Sequence, residues 1–252
     1  MKKILILSLA LLATVSLGGC KKGEKPQSEQ SSESEAQGMP DTIDRAGFKK
    51  VLQMNKDYIE AHPEVFENFT ITDGDAIQGQ PTNYKENEFY QQKALFTNYS
   101  LFKDGSEFLV YEDKGIFSTP TLKSVDEQTW NGYMSTRKQA MVDRVMRPLQ
   151  VAEELLAEEE SGTSERRMTA KFSKTYAGNA RLDMTIIVSE LEQDPNNYEE
   201  MIVVENKYVH SFYLTENLPS KYNTSKNGTD DIQDNFKFGK ASFTDPRGSS
   251  EE

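Results

Sequence analysis

The spacing of hydrophobic positions changes along the chain, and each spacing predicts a type of element. Phe48, Val51, Leu52 and Ile59 recur at helical intervals; Asp41 or Thr42 can cap that helix, Asp44 favours its first turn, and His62-Pro63 stops it. Gly47 weakens it, because a glycine gives up more backbone freedom than other residues on becoming helical. From Phe69 and Ile71 onward, apolar residues alternate with polar ones, as a half-buried strand requires. A long run from Glu88 to Phe102 meets Glu107–Tyr111 across Lys103-Asp104-Gly105, and an Asp-Gly step between two such runs predicts a hairpin. Asp113-Lys114-Gly115 turns the chain into Ile116-Phe117, and Pro120 closes this first strand group.

A helical period returns between Asp126 and Glu160. Met141, Val142, Val145, Leu149, Ala152 and Leu156 fall at steps of three and four, while Glu153, Glu154 and Glu158 to Glu160 mark a solvated face. Pro148 predicts a break near Arg147, and the acidic end opposes the helix dipole and predicts fraying. Strands then resume. Met168, Ala170, Phe172 and Tyr176 share one face, and Leu182, Met184, Ile186 and Val188 another, across the turn Ala177-Gly178-Asn179. A polar insert at Asp194-Pro195-Asn196-Asn197 precedes Met201–Glu205, and Glu205-Asn206-Lys207 turns into Tyr208, His210, Phe212 and Leu214. A loop holding Pro219 and Gly228 leads to a last strand from Ile232 to Phe243, which Gly239 bulges. The pattern predicts an α+β fold: about 8–10 antiparallel strands in a strongly curved sheet, covered by an N-terminal helix and a mid-chain helical insert. Consecutive hairpins without parallel crossovers exclude a doubly wound architecture.

The N-terminus follows a different logic. Lys2 and Lys3 precede 14 uncharged residues, Ile4 to Leu17. That stretch is shorter than the roughly 20 residues a membrane-spanning helix needs, so it reads as the apolar core of a signal peptide. It ends in Leu17-Gly18-Gly19-Cys20, which resembles the lipobox of bacterial, in particular Gram-positive, lipoproteins, and Cys20 is the only cysteine in the chain. The resemblance implies diacylglyceryl attachment to the Cys20 thiol, cleavage of residues 1–19, and residence on the extracytoplasmic face of the cell membrane. Two acyl chains, at about 0.8 kcal/mol per buried methylene, make such an anchor durable. The released leader is itself an open candidate for a peptide signal, as in some Gram-positive lipoproteins. Residues 21–40, rich in Ser, Glu, Gln, Gly, Pro and Lys, cannot bury enough apolar surface to order themselves; they predict a polar tether with a reach of roughly 25 Å. Residues 41–246 form one domain, and 247–252 a disordered tail.

Charge narrows the function. With 29 basic and 41 acidic residues the formal charge is −12, and loss of Lys2 and Lys3 with the leader makes it −14. No basic footprint for nucleic acid exists, so no nucleic-acid partner is expected. One cysteine and two histidines supply neither a disulfide nor a three-His zinc centre. Asp73, Asp75, Asp230, Asp231 and Asp234 lack the spacing of a calcium loop, so neither metal nor other cofactor is expected. No catalytic residue is nominated. Ser100-Leu101-Phe102-Lys103 spells SxxK, but on a strand those two side chains point to opposite faces. His62 beside Pro63 and His210 in its apolar row read as structural residues.

The aromatic residues of the first strand group and the methionines of the helical insert are ordinary core material, or else the lining of an apolar cavity between sheet and helices. Met141, Val145, Leu149, Phe96 and Phe108 are the candidate ligand-binding residues on the second view. The element order, behind a lipobox and tether, resembles the LolA/LppX-type lipoprotein fold over about residues 41–245. That resemblance implies an open half-barrel whose concave face is plugged by helices and holds acyl chains. The expected function is therefore a non-enzymatic lipid-anchored carrier or sensor of an apolar or amphiphilic ligand. The alternatives are a scaffolding lipoprotein that binds a protein partner in a secretion, conjugation or cell-wall complex, and a hydrolase, which a deep polar cleft around His210 would mark.

Overall fold

The computed structural model describes residues 38–248 except 75–79, 95, 163 and 165. Two helices, α1 (Arg45–Ala61) and α2 (Glu127–Ser161), are set among eleven strands: β1 (Asn68–Asp73), β2 (Gln80–Lys85), β3 (Phe89–Lys93), β4 (Asn98–Asp104), β5 (Glu107–Asp113), β6 (Thr121–Val125), β7 (Arg167–Lys174), β8 (Ala180–Asp194), β9 (Asn197–Leu214), β10 (Pro219–Lys226) and β11 (Thr229–Phe238). The strands form one open, curled antiparallel sheet ordered β6-β5-β4-β3-β2-β1-β11-β10-β9-β8-β7. Each half of the sheet is a meander, and β1 pairing with β11 joins them, so the architecture is the α+β class the pattern predicts.

Register carries each strand's alternation onto a common inner face. Phe69 lies opposite Tyr84 and Phe238, Ile71 opposite Phe236, Tyr90 opposite Leu101, and Leu182 opposite Phe212. Both helices pack against this face. Phe48, Val51, Leu52 and Ile59 of α1 and Trp130, Met134, Met141, Val145, Leu149, Ala152 and Leu156 of α2 join the strand residues in one buried cluster. Burial of each large apolar side chain stabilises by about 1.5–3 kcal/mol, so this cluster dominates the stability of the domain. Buried Asn55 ties α1 to the β9–β10 turn through Nδ2 to the Thr215 carbonyl, 2.8 Å.

Several local expectations are corrected. Asp44, rather than Asp41 or Thr42, caps α1, accepting from the Gly47 N–H at 2.8 Å. α2 runs unbroken through Pro148, which is itself buried. Its acidic end is pinned instead of frayed: Glu153 meets Lys56, Glu159 meets Arg45, and Glu160 meets Lys49, so the cations of α1 offset the unfavourable dipole. Pro120 does not close the first strand group; Ile116 and Phe117 are exposed in a turn and β6 follows. β9 continues straight through Glu205-Asn206-Lys207, and the supposed loop around Pro219 is strand β10.

The outer face has its own small core. β11 ends at Phe238, short of the Phe243 expected from the sequence, and Gly239, whose φ is 69°, lets the chain turn back. The following segment lies across the sheet as a strap, with Phe243 packed on Phe89 and Phe102 at ring separations of 5.3 and 5.2 Å. Gln91 clips it in place, donating to the Thr244 carbonyl (2.8 Å) and accepting from the Thr244 N–H (3.1 Å). Arg247, assigned from sequence to the tail, pairs with Asp104 and Asp245. At the other end, Met39 packs on the core and the Pro40 carbonyl accepts from Lys174, so the domain starts slightly before residue 41.

Candidate functional site

The inner face is filled where α2 crosses it and open on one flank. Between α2 and strands β9–β11 lies a cleft of about 650 Å³. Tyr208 and His210 of β9 and Tyr222, Thr224 and Lys226 of β10 reach it because Thr224 is registered opposite His210 and Lys226 opposite Tyr208, all on the inner face. Asp230, Asp231 and Ile232 of β11 form one rim, and Arg147 of α2 the other.

His210 Nδ1 lies 2.9 Å from the Tyr222 hydroxyl, and both rings stack against Phe212. Burial holds the His210 imidazole below its ordinary pKa, with the Arg147 and Arg166 cations adding to the effect. Burial also pushes the Tyr222 phenol up to about 12, against the pull of Arg147. Both groups are neutral at pH 7. Thr224, across the strand, is occupied: its hydroxyl accepts from the Ile232 N–H at 3.2 Å and reaches Asp231 at 3.5 Å. Among the described residues the imidazole's hydrogen-bond partner is the Tyr222 hydroxyl. Lys226 is held by Glu190 and Glu192 over the Tyr208 ring. Arg147 has no ion pair with a described residue, which leaves its guanidinium available.

The neighbouring wall is an ion-pair cluster. Arg144 grips the buried Asp234 with Nε (2.8 Å) and Nη2 (2.5 Å) and also pairs with Asp73. It fixes α2 against β1 and β11 and so sets the width of the groove that continues from the cleft past Asp143 and Ile232.

The sequence-nominated residues are dispersed. Met141, Val145 and Leu149 are buried in the filled core beneath α2, with Leu149 only 1% exposed. Phe108 packs on Trp130, with ring centroids 5.2 Å apart, near the opposite end of α2. Phe96 is 57% exposed in the β3–β4 turn. Cys20 and the lipobox residues Leu17, Gly18 and Gly19 lie outside the described residues. Ser100 faces the outer side and bonds Gln91, whereas Lys103 lies over the Phe108 and Trp130 rings of the inner side. His62 is exposed beside Glu64. No described cluster of three or more His, Cys, Asp or Glu side chains could hold a metal ion.

Sequence reasoning read His210 as a structural residue and did not single out Arg147, Tyr222, Thr224 or Lys226. The signal was there: Tyr222, Thr224 and Lys226 alternate ahead of Asn227-Gly228, a hairpin step whose two residues have φ of 51° and 83°. The geometry defines an α+β domain with an open eleven-stranded sheet, helices on one face and an aromatic-floored cleft at the open flank. No protein-family model matches the chain, and no curated protein or solved structure is significantly similar to it.

Proposed function

We propose that the chain is an exported, lipid-anchored binding protein, non-enzymatic, whose cleft between α2 and β9–β11 receives a small amphiphile. Cys20 carries the anchor, and the polar segment after it holds the domain off the membrane surface. One observation carries the ligand assignment: a cleft of about 650 Å³, floored by Tyr208, His210 and Tyr222 and flanked by Arg147, which has no ion pair with a described residue. That volume falls within the roughly 300–1,000 Å³ of small-molecule sites, which combine an apolar surface with a few orienting polar groups. The apolar part of the ligand lies on the aromatic floor, and its polar end meets Arg147 and the Asp230–Asp231 rim. The LolA/LppX resemblance supports the reading through its half-barrel with helices on one face. This chain fills with Met141, Val145 and Leu149 the place where acyl chains would lie, so the ligand is assigned to the open flank.

Native mass spectrometry of the full chain purified in detergent from a bacterial host, followed by titration with a fluorescent fatty acid, tests the assignment. A retained amphiphile, or saturable binding that weakens at least tenfold in Arg147→Glu, is expected; absence of both removes the carrier role. The anchor is checked separately. Cys20→Ser is expected to move the protein from the detergent phase to the aqueous phase, and continued partitioning with detergent would refute lipidation there. A second reading, a lipoprotein that docks another protein, is favoured by the exposed apolar side chains of the β8–β9 hairpin.

A further inference from the structure

The β8–β9 hairpin outgrows the sheet. Pairing of β8 with β7 ends at Ile187 opposite Arg167, and pairing of β9 with β10 ends at Tyr208 opposite Lys226; Asn227 extends the contact, donating its N–H to the Lys207 carbonyl, accepting from the Lys207 N–H at Oδ1 and donating from Nδ2 to Asn206 Oδ1. Beyond that point the hairpin is a two-stranded ribbon with no described strand on either edge. Free edges of this kind are templates for strand addition, and stable proteins ordinarily blunt them with lysine, proline or a covering element. Here the β9 edge reads Glu199-Glu200-Met201-Ile202-Val203-Val204-Glu205, four consecutive apolar residues in β-favouring chemistry bounded by acids. Leu191 and Val203 are directly opposed on the outer face, with Met201 beside them, and they are 66%, 69% and 60% exposed.

Charge selects the occupant. From Val188 to Asn206 the ribbon carries Glu190, Glu192, Asp194, Glu199, Glu200 and Glu205 and no lysine or arginine. Glu190 and Glu192 are engaged by Asn206 and Lys226 on the inner face, whereas the carboxylates of Glu199 and Glu200 have no described partner. A second copy would set acids against acids, and an anionic membrane surface would be repelled. At the ribbon base Arg166 pairs with Glu158 and Arg167 with Glu205, so the acids left without a described partner at the β9 edge are Glu199 and Glu200.

We infer that the β9 edge of this ribbon is a docking site for an extended, basic, apolar segment of another protein, which adds as a strand beside Glu199–Glu205 and lays its apolar side chains on Met201 and Val203. Backbone hydrogen bonds supply affinity in strand addition, and alternate side chains supply specificity. The site is separate from the cleft and stands whether or not an amphiphile binds there.

The probe is an end-blocked peptide KKVTVTVKK, added to the full chain in detergent, with EEVTVTVEE as the control. Hydrogen exchange is expected to slow in residues 198–205 with the basic peptide alone, and the effect to shrink as salt is raised. Met201→Lys with Val203→Lys, at exposed positions, is expected to leave the thermal midpoint unchanged and to weaken peptide binding at least tenfold. The proposal is overturned by unchanged exchange in 198–205, by equal protection from the acidic peptide, by protection spread over the acidic surface, or by full binding to the double variant.

Discussion

Replacing Arg144 by Met isolates the ion-pair cluster that holds α2 on the sheet. Asp234, with a side chain 4% exposed, accepts two hydrogen bonds from this one guanidinium. Methionine keeps most of the packing of the arginine stem but leaves a buried carboxylate without its cation. Removing one partner of a fully buried pair costs about 3–5 kcal/mol, chiefly through the stranded charge. Arg144 is 34% exposed and Asp73 46%, so water reaches the cluster and the lower end, about 3 kcal/mol, applies. For a domain of this size that lowers Tm by roughly 6–12 °C. The double variant Arg144→Met with Asp234→Asn removes both charges and is expected to recover more than half of the loss. Denaturant melts of wild type, both single variants and the double variant close the cycle. A loss under about 0.5 kcal/mol in Arg144→Met, or a double variant equal to the sum of the singles, would refute the assignment of the stranded charge as the cause.

Gly47→Ala is expected to destabilise α1 despite alanine's better helix propensity, because a Cβ there would lie 2.7 Å from the Thr42 carbonyl oxygen; a higher Tm in thermal melts would contradict this. Phe243→Ala uncovers Phe89 and Phe102 and is expected to cost about 2 kcal/mol, with proteolysis newly cutting near residues 240–247 as the readout. His210 has a folded pKa below its unfolded value near 6.5, so its unfolded form takes up a proton first as pH falls. Its contribution to stability is complete above about pH 6.5 and is lost as pH drops towards the folded pKa. His210→Gln should flatten that slope in denaturant melts, and an unchanged slope would exclude the group.

How much was legible in the sequence depended on how local the cause was. The end of α1 at His62-Pro63 and the overall span of the mid-chain helix followed from periodicity, because a helix satisfies its backbone within itself, whereas the α1 cap lies at Asp44 and not at Asp41 or Thr42. Strands β2, β6 and β10 were invisible for the converse reason. Gln80–Lys85 and Thr121–Val125 are mostly polar and become strands only because neighbouring edges supply hydrogen-bond partners. The cleft suffered the same fate: Arg147 and Tyr222 are 75 positions apart, and only the curl of the sheet beneath α2 makes them opposite walls of one opening.

The sequence alone determined the alternation that sorts side chains to the inner face, the glycine turns and the acidic excess, since each depends on residues within a few positions. Tertiary structure decided the rest by outweighing local preference. Pro148 removes one hydrogen bond to the Arg144 carbonyl and costs about 3 kcal/mol inside a helix, which by itself would break α2. Met141, Val145, Leu149, Ala152 and Leu156 are buried on both sides of it, the larger of them at about 1.5–3 kcal/mol each, and together they exceed that cost. The helix therefore stays whole, the space beneath it is filled, and the opening is displaced to the flank where Arg147 meets His210 and Tyr222.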